Sequence, residues 1–186
     1  RLIAAAGGEA VAFPTVEILS IWRTSQSASW LSANNLISFD IAVFVSPTAV
    51  AQGLAALDAA QEAWPAKVRV AAVGRGTAAA LAERGFRDVI FPAEGADSEA
   101  LAALPAMQTV AGRAILIVRG EGGREWLGDA LRDRGARVEV AECYRRVRPA
   151  SDAGPLAARW RAGGIAAATV HSRGALDNLL AMLPED

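Results

Sequence analysis

Hydrophobic segments of strand length alternate with amphipathic helical segments along most of this chain. That alternation is typical of α/β proteins in which helices join parallel strands. We predict strands over residues 10–21, 40–45, 68–73, 88–91, 114–118, 137–144 and 165–170. We predict helices over residues 1–6, 48–63, 77–84, 98–104 and 124–134, with two more ending near residues 163 and 183. The five strands between residues 40 and 146 fit a flavodoxin-like, doubly wound sheet.

Two segments of the chain resemble each other at a constant offset. Residues 44–50 (FVSPTAV) and 170–176 (VHSRGAL) both combine a strand end, a serine and the start of a helix. A second, shorter match aligns Gly8 with Gly135, each lying between a predicted helix and a predicted strand. Coincidence between two α/β units is the alternative explanation of such short matches.

If the repeat is genuine, it predicts two similar α/β domains, one inserted into the other. A segment rich in proline, glycine and serine at residues 148–155 is the clearest linker between them. The predicted outer domain comprises residues 1–20 and 149–186, and the predicted inserted domain comprises residues 21–148. The outer domain lacks counterparts of two strands of the inserted domain, so we expect it to be truncated at both ends.

Composition excludes several classes of protein. The chain has 186 residues, with 19 basic and 20 acidic side chains, and lacks the basic excess of a nucleic-acid-binding protein. Its hydrophobic content of 53% excludes a disordered chain, and its apolar stretches are too short to span a membrane. A single cysteine and a single histidine leave no intramolecular disulfide and no multi-histidine metal site. We therefore expect a soluble, cytoplasmic, metal-free protein.

Four predicted strand ends carry small turns, rich in glycine or hydroxyl groups, directly before a helix. They are residues 46–48 (SPT), 74–77 (GRGT), 119–124 (RGEGGR) and 172–174 (SRG). Ligands of open α/β sheets bind beyond the carboxyl ends of the strands, where helix amino termini attract anions. Neighbouring arginines can bind carboxylates in a bidentate manner. The sequence therefore predicts a cleft for a ligand with several negative groups, and plain tight turns are the alternative.

A nucleotide is the weaker choice of ligand. Gly74, Gly76 and Ala79 form a partial dinucleotide-binding fingerprint, which requires an acidic residue about 20 positions later. Glu94 is the nearest candidate, and it lies in a proline-flanked loop rather than at a strand end. The chain also lacks a phosphate-binding loop with the Gly-Lys-Ser/Thr pattern.

Candidate catalytic side chains are few. His171 ends a predicted strand, where a hydrogen-bonded bystander is the simpler interpretation, and Cys143 reads as a small buried residue within a strand. Tyr144, the only tyrosine, ends a strand and precedes Arg145 and Arg146. A phenol beside cations can donate a proton or a strong hydrogen bond. Packing against neighbouring side chains is the alternative role for this ring.

Five segments in the same order resemble the uroporphyrinogen-III synthase family. They are residues 40–50 (DIAVFVSPTAV), 73–78 (VGRGTA), 116–124 (LIVRGEGGR), 144–146 (YRR) before Pro149, and 170–173 (VHSR). The resemblance implies two flavodoxin-like domains with parallel sheets, joined by a two-stranded connection, with the active site in the cleft between them. It also implies a cofactor-free lyase that cyclises hydroxymethylbilane, with loss of water and inversion of ring D, to give uroporphyrinogen III.

The resemblance also implies roles for individual residues. Tyr144 matches the tyrosine proposed to help the substrate hydroxyl leave, and the other matched positions are polar strand ends or backbone N–H groups that hold carboxylates. We predict Tyr144 as the catalytic residue. The predicted substrate-binding residues are Ser46, Thr48, Ala49, Gly74, Gly76, Thr77, Arg119, Gly120, Ser172, Arg173 and Gly174.

Hydroxymethylbilane carries eight carboxylates, which suits the anion-binding strand ends. The upstream bilane-forming enzyme is a candidate partner, and we expect a monomer that binds neither nucleic acid nor membrane. One departure from the family is Val45, which stands where a threonine is common. Two other functions stay open: a non-catalytic, regulatory binder of polycarboxylates or tetrapyrroles, and a flavodoxin-like signalling or nucleotide-binding domain.

Overall fold

The computed structural model describes residues 2–24 and 26–184. Parts of the predicted helix at residues 1–6 and of both predicted domains therefore lie outside the described residues, namely Arg1, Ser25 and residues 185–186. The described strands are β1 (Glu17–Ser20), β2 (Ile41–Phe44), β3 (Arg69–Ala72), β4 (Val89–Ile90), β5 (Ala114–Gly120) and β6 (Arg137–Val147). They form one six-stranded sheet in the order β1-β6-β5-β2-β3-β4. Strands β2 to β6 pair in parallel.

The helices alternate with the strands as the sequence predicts. The α-helices are α1 (Leu2–Ala5), α2 (Ala33–Leu36), α3 (Pro47–Ala60), α4 (Arg75–Glu83), α5 (Ser98–Ala102), α6 (Pro105–Gln108), α7 (Trp126–Asp133), α8 (Gly154–Arg161) and α9 (Arg173–Met182), and residues Gln26–Leu31 form a 3-10 helix. No helix that the structure describes is long and apolar enough to cross a membrane.

Strands β2 and β5 form the centre of the sheet. Every residue of both strands is buried, as expected for parallel strands covered on both faces. Ile41 faces Ile115, and the pairing begins one residue earlier, where the Asp40 carboxylate accepts a hydrogen bond of 2.8 Å from the Ala114 N–H. That bond, with a smaller contribution from Arg113, holds the pKa of the Asp40 carboxyl below its usual range.

Two hydrophobic cores cover the two faces of the sheet. On one face, Leu54 of α3 and Leu81 of α4 pack with Phe44 and Leu116. On the other face, the buried apolar residues come from α5, α6, α7 and the strands, and include Leu101, Met107, Leu131, Val43 and Ile117. The arrangement is a three-layered, doubly wound α/β fold.

The strand order differs from the flavodoxin-like prediction. Counted from β2, the five parallel strands follow the order 3-2-1-4-5, whereas a flavodoxin-like sheet has the order 2-1-3-4-5. The flavodoxin-like assignment is therefore wrong for this sheet. Both orders use the same alternation of strands and helices, so hydrophobic periodicity cannot distinguish them.

The prediction of a second parallel sheet is also not met within the described residues, where all strands belong to one sheet. Residues 165–170, predicted as a strand, have no strand structure, and of the predicted strand 10–21 only Glu17–Ser20 pairs. Val170 is 41% exposed. An extended segment becomes a strand only where a neighbour accepts and donates its backbone hydrogen bonds.

The repeated serines have nearly the same conformation. Ser46 (φ −161°, ψ 161°) and Ser172 (φ −159°, ψ 159°) each precede a helix. Their Oγ atoms accept hydrogen bonds of 3.0 Å and 3.2 Å from the N–H groups of Ala49 and Ala175. Both serines begin helices, as the sequence predicts, but only Ser46 follows a strand.

The second repeat needs a shift of one residue. Gly7 (φ 78°) and Gly135 (φ 82°) are the left-handed residues that end α1 and α7. In both cases the next N–H donates to the carbonyl five residues before it. The counterpart of Gly135 is therefore Gly7 rather than Gly8.

The chain divides into two compact units. Leu19–Arg145 forms the larger unit, with both hydrophobic cores, and Arg1–Ile18 with Arg146–Asp186 forms the smaller. In the smaller unit Arg159 donates hydrogen bonds of 2.9 Å and 2.6 Å to the Glu9 carboxylate, and the Asn178 side chain donates one of 2.8 Å to the Thr15 carbonyl. Helix α9 has no buried residue among those described.

Replacing Ile115 by alanine should lower the free energy of unfolding by about 2–5 kcal/mol, because it leaves a cavity in the central strand, where Ile115 is fully buried. The matched control is Ile37→Ala, which truncates a side chain that is 51% exposed and should change stability by about 0.5 kcal/mol or less. Urea denaturation followed by tryptophan fluorescence measures both. Equal losses in the two variants would contradict the central position of β5.

Candidate functional site

The strand order places a topological switch point between β2 and β5. The chain leaves β2 towards β3 on one side and leaves β5 towards β6 on the other. In doubly wound folds, ligands bind in the crevice at the carboxyl ends of such strands. Ser46 and Gly120 lie at these two ends, and Tyr144 lies near the carboxyl end of β6, beside β5.

Ser46 connects the start of α3 to Tyr144. Its backbone is extended, its Oγ accepts the N–H of Ala49, and Pro47 follows as the first helical residue. Serine at this position and proline after it both favour a helix start. The Ser46 Oγ also lies 3.3 Å from the Tyr144 Oη, and the two hydroxyls share a hydrogen bond. One serine therefore links a helix amino terminus to the predicted catalytic phenol.

A bulge between β5 and β6 sets the direction of Tyr144. Arg119 is opposite Glu142, but the next residue of β5, Gly120, is opposite Tyr144, so Cys143 is the additional residue on β6. A bulge of this kind bends the strand and changes the direction of the following side chain. Tyr144 is 2% exposed, and its hydroxyl is beside the half-buried Ser46.

The ring of Tyr144 occupies a space that depends on Gly120. A Cβ atom at Gly120 would lie 2.6 Å from two ring carbons of Tyr144 and 3.1 Å from its hydroxyl oxygen. Any side chain at this position would displace the ring. The Glu121 N–H donates a 2.8 Å hydrogen bond to the Tyr144 carbonyl, which fixes the backbone on the same side.

Arg119 is bound to acceptors of the protein itself. The residue is 8% exposed, and its Nη1 donates hydrogen bonds to the carbonyls of Gly123 (3.0 Å) and Arg124 (3.2 Å). Its Nη2 donates to Glu125 and, at 3.2 Å, to Glu142. The Nε atom is buried and has no hydrogen-bond partner among the described residues. A direct contact between Arg119 and a substrate carboxylate would require these bonds to be exchanged.

The turn after β3 is built for close backbone packing. A Cβ atom at Gly74 would lie 2.9 Å from Ala96, whereas the space around Gly76 is open. Thr77 is 5% exposed, and its N–H donates to the Gly74 carbonyl at 3.1 Å. At the neighbouring helix start, Thr48 is half-buried, and the N–H of Ala49 is already bound to Ser46.

Ser172, Arg173 and Gly174 belong to the smaller unit and are all exposed. Arg173 has 95% of its side chain exposed, and its Nε lies 3.8 Å from a carboxylate oxygen of Asp177. His171 is exposed as well. The described residues include no group of three or more His, Cys, Asp or Glu side chains that could hold a metal ion.

Two glutamates near Tyr144 escaped the sequence analysis. Glu142 pairs with Arg119 across the strands, and Glu121 forms a bidentate pair with Arg145. The pKa of the Glu121 carboxyl lies below its usual range, mainly because Arg145 donates hydrogen bonds to it. A signal was available for Arg119 alone, because it directly follows the apolar run at residues 114–118. A charge inside a buried strand generally needs a partner.

A cavity of about 200 Å³ lies at the amino ends of the strands, away from these residues. Its lining includes Asp40, Lys67, Arg69 and Arg113. Arg113 is committed in part to Asp40, at 3.1 Å. None of the predicted site residues lines this cavity.

These features define an α/β protein with polar and glycine-rich turns at the carboxyl ends of its parallel strands. The family profile described as "Uroporphyrinogen-III synthase HemD" matches residues 1–186. Uroporphyrinogen-III synthase of Salmonella typhimurium is 36% identical over 181 residues, covering 97% of this chain and 73% of that protein. The Escherichia coli protein of the same name is 35% identical over 173 residues, covering 93% and 70%. The chain belongs to the uroporphyrinogen-III synthase family, a family of lyases in porphyrin biosynthesis, as the sequence resemblance predicted.

Solved structures agree on the fold. A mutant uroporphyrinogen III synthase from Thermus thermophilus has a TM-score of 0.58 and 19% identity, covering 88% of this chain and 64% of that one. The wild-type protein in another crystal form has a TM-score of 0.53 and 22% identity, covering 88% and 63%. At this identity the likeness shows the α/β fold. This chain spans about two thirds or less of the length of these solved proteins.

Replacing Gly120 by alanine should displace the Tyr144 ring and lower the free energy of unfolding by about 1–3 kcal/mol, because the new methyl group would overlap the ring. Since Tyr144 is the only tyrosine, ¹³C-labelled tyrosine gives a single NMR reporter of its position. The matched control is Gly76→Ala, whose methyl group enters open space and should leave the reporter unchanged. An unshifted signal in Gly120→Ala would refute the close contact.

Cys143 should react slowly with Ellman's reagent in the folded protein. Burial raises the pKa of its thiol from 9.0 to about 12, so the reactive thiolate is scarce at pH 8. We expect the rate of this reaction to increase about tenfold or more when urea unfolds the chain. Because the unfolded chain loses this proton first, the free energy of unfolding should also fall between about pH 9 and 12. A fast reaction in the native protein would contradict the burial.

Proposed function

We propose that this chain provides uroporphyrinogen-III synthase activity in tetrapyrrole and haem biosynthesis. The substrate is hydroxymethylbilane, and the product is uroporphyrinogen III, formed with loss of water and inversion of ring D. The observation that supports this most directly is the Ser46–Tyr144 hydroxyl pair at the topological switch point, in a chain of the uroporphyrinogen-III synthase family.

Tyr144 is the proposed proton donor to the leaving hydroxyl. The carbon–oxygen bond of the hydroxymethyl group breaks, and the hydroxyl leaves as water with the phenolic proton. The cation left behind is attacked by the substituted carbon of ring D, which gives a spiro intermediate. The bond from that carbon to the methylene of ring C then breaks, and the released methylene bonds to the unsubstituted carbon of ring D. The proton lost from that carbon restores the phenol. Ser46 supports this role, because its hydroxyl can hydrogen-bond the phenol while the Ala49 N–H occupies one of its lone pairs.

Orientation of the substrate carries most of the proposed catalysis. A bilane closes spontaneously through its unsubstituted end, so the protein must hold ring D with its substituted carbon towards the reacting methylene. Fixing two reacting groups in such a geometry can supply several kcal/mol of the barrier, roughly 7–11 kcal/mol in favourable cases. The small, partly exposed turns are suited to this task, since backbone N–H groups bind carboxylates without long side chains.

The substrate carboxylates are proposed to bind at the polar and glycine-rich strand ends. In the first turn of α4, Gly76 is exposed with open space beside it, and Thr77 follows it. The proposed carboxylate-binding set is Ser46, Thr48, Gly74, Gly76, Thr77, Gly120, Ser172, Arg173 and Gly174. Ala49 is left out, because it is buried and its N–H already donates to Ser46. Arg119 is assigned a different role below, because it is buried and both of its terminal nitrogens already have acceptors within the protein.

We propose that the chain has the domain organisation predicted from its sequence. The outer domain comprises residues 1–20 and 149–186, the inserted domain comprises residues 21–148, and two chain crossings join them. The match of residues 44–50 with residues 170–176, in which both serines begin a helix, supports an origin by duplication. A cytoplasmic monomer that receives its bilane from the upstream bilane-forming enzyme, and needs no cofactor, completes the proposal.

One observation favours a second candidate function. Tyr144 is only 2% exposed, and a buried ring with a hydroxyl partner also suits a purely structural role. The second candidate is therefore a non-catalytic binder of polycarboxylates or tetrapyrroles that keeps the fold of the family.

An isomer assay tests the activity. The protein receives freshly made hydroxymethylbilane, and the oxidised products are separated into type I and type III uroporphyrins. The excess of type III over the spontaneous type I product should increase with the amount of protein added. Tyr144→Phe keeps the ring but removes the proton donor, and should slow formation of type III by roughly a hundredfold. Ser38→Ala, which removes an exposed hydroxyl outside the site, is the control and should keep the wild-type rate.

The same variant separates the two candidates. A binder would yield only type I uroporphyrin with and without Tyr144, and would bind a polycarboxylate porphyrin equally well in both forms. Full type III activity in Tyr144→Phe would remove Tyr144 from the catalytic role while leaving the synthase activity established.

A further inference from the structure

A charged group is buried one register position before the pair of Gly120 with Tyr144. Residues 114–118 of β5 are apolar, yet Arg119, the next residue, is only 8% exposed. A guanidinium in such a position costs free energy unless acceptors surround it. Its two terminal nitrogens meet four acceptors, two of them carbonyls and two of them carboxylates.

These hydrogen bonds fold the loop after β5 against the sheet. The carbonyls of Gly123 and Arg124 both accept from Arg119, so the loop must turn back towards its own strand. Glu142 holds the loop from the neighbouring strand, because its Oε1 accepts from Arg119 at 3.2 Å and from the Gly122 N–H at 3.4 Å. Arg119 and Glu142 thus form one cross-strand clamp on this loop.

The clamp lies immediately before the bulge that directs Tyr144. Arg119 and Glu142 are the last regular pair of β5 and β6, and the next pair is Gly120 with Tyr144. The Cys143 thiol lies 3.4 Å from the Arg119 carbonyl, to which it can donate, and Gly120 packs against the Tyr144 ring. A displacement of Gly120 would therefore move the ring.

We propose that Arg119 and Glu142 are positioning residues for Tyr144, and that the hydrogen bonds they form with each other and with the loop after β5 set the position of the phenolic hydroxyl next to Ser46. The inference rests on the proposed function for its kinetic consequence. Arg119 acts through Gly120 rather than by binding a substrate carboxylate. Without the Glu142 carboxylate, the Gly122 N–H and one N–H of Arg119 lose an acceptor, the loop relaxes, and the 3.3 Å contact between the two hydroxyls opens.

The first experiment compares Glu142→Ala, Glu142→Gln and Glu139→Ala. Glutamine keeps an acceptor oxygen, and Glu139→Ala removes another glutamate of the same strand. We expect Glu142→Ala to shift the ¹³C-tyrosine signal and to lower kcat for type III formation roughly 10- to 100-fold, with KM changed less than about threefold. Glu142→Gln should restore both readouts most of the way, and Glu139→Ala should match the wild type.

A folded Glu142→Ala variant with an unchanged tyrosine signal and unchanged kcat would overturn the proposal. So would a Glu142→Gln variant as impaired as Glu142→Ala, because the acceptor would then not be the cause. If Glu142→Ala does not fold, Arg119→Lys replaces it, since lysine keeps the charge but cannot reach four acceptors, and should shift the same signal. If the wild type makes no type III product, the proposed function fails, and the tyrosine signal alone still decides the positioning role.

Discussion

The parallel pairing of β2 with β5 is the interaction on which both the sheet and the candidate site depend. These strands are far apart in the sequence, and both are buried throughout. Their pairing starts at the hydrogen bond between the Asp40 carboxylate and the Ala114 N–H and ends where Ser46 and the loop after Gly120 begin. Because the chain leaves the two strands in opposite directions, a crevice at their carboxyl ends follows from the topology. The backbone pairing of β2 with β5 therefore determines where the candidate site lies.

Most elements of the larger unit could be predicted from the sequence, because burial forces the hydrophobic pattern. The apolar runs at residues 40–45 and 114–118 correspond to β2 and β5, and the predicted helix at 48–63 corresponds to α3. The order of the strands could not be predicted in this way. Periodicity reports which face of an element is buried, but not which neighbour covers it. Residues 165–170 show the same limit, since their apolar pattern has no partner strand among the described residues.

The candidate site was predictable where local chemistry determines structure. Serine before a helix acts as a cap wherever it occurs, so Ser46 and Ser172 could be located from their neighbours. Arg119 is the opposite case: an arginine in a glycine-rich turn suggests an anion site, and only the fold reveals its partners Glu125 and Glu142. Glu142 is distant from Arg119 in sequence, so their pairing could not be predicted. The bulge that follows this pair depends on the register of two strands, and no local sequence pattern indicates it.

A buried ion pair is weak evidence for stability, because desolvation of both groups offsets much of their attraction. Apolar side chains of similar size could fill the position of Arg119 and Glu142 without that cost. Apolar side chains could not, however, hold two loop carbonyls and a glycine N–H in fixed directions, as this pair does. Gly120 must approach the Tyr144 ring more closely than any residue with a Cβ allows, so the end of β5 and the loop that follows it need directional restraint. Hydrogen bonds from a planar guanidinium supply that direction, which explains why a charged pair precedes the bulge at Tyr144.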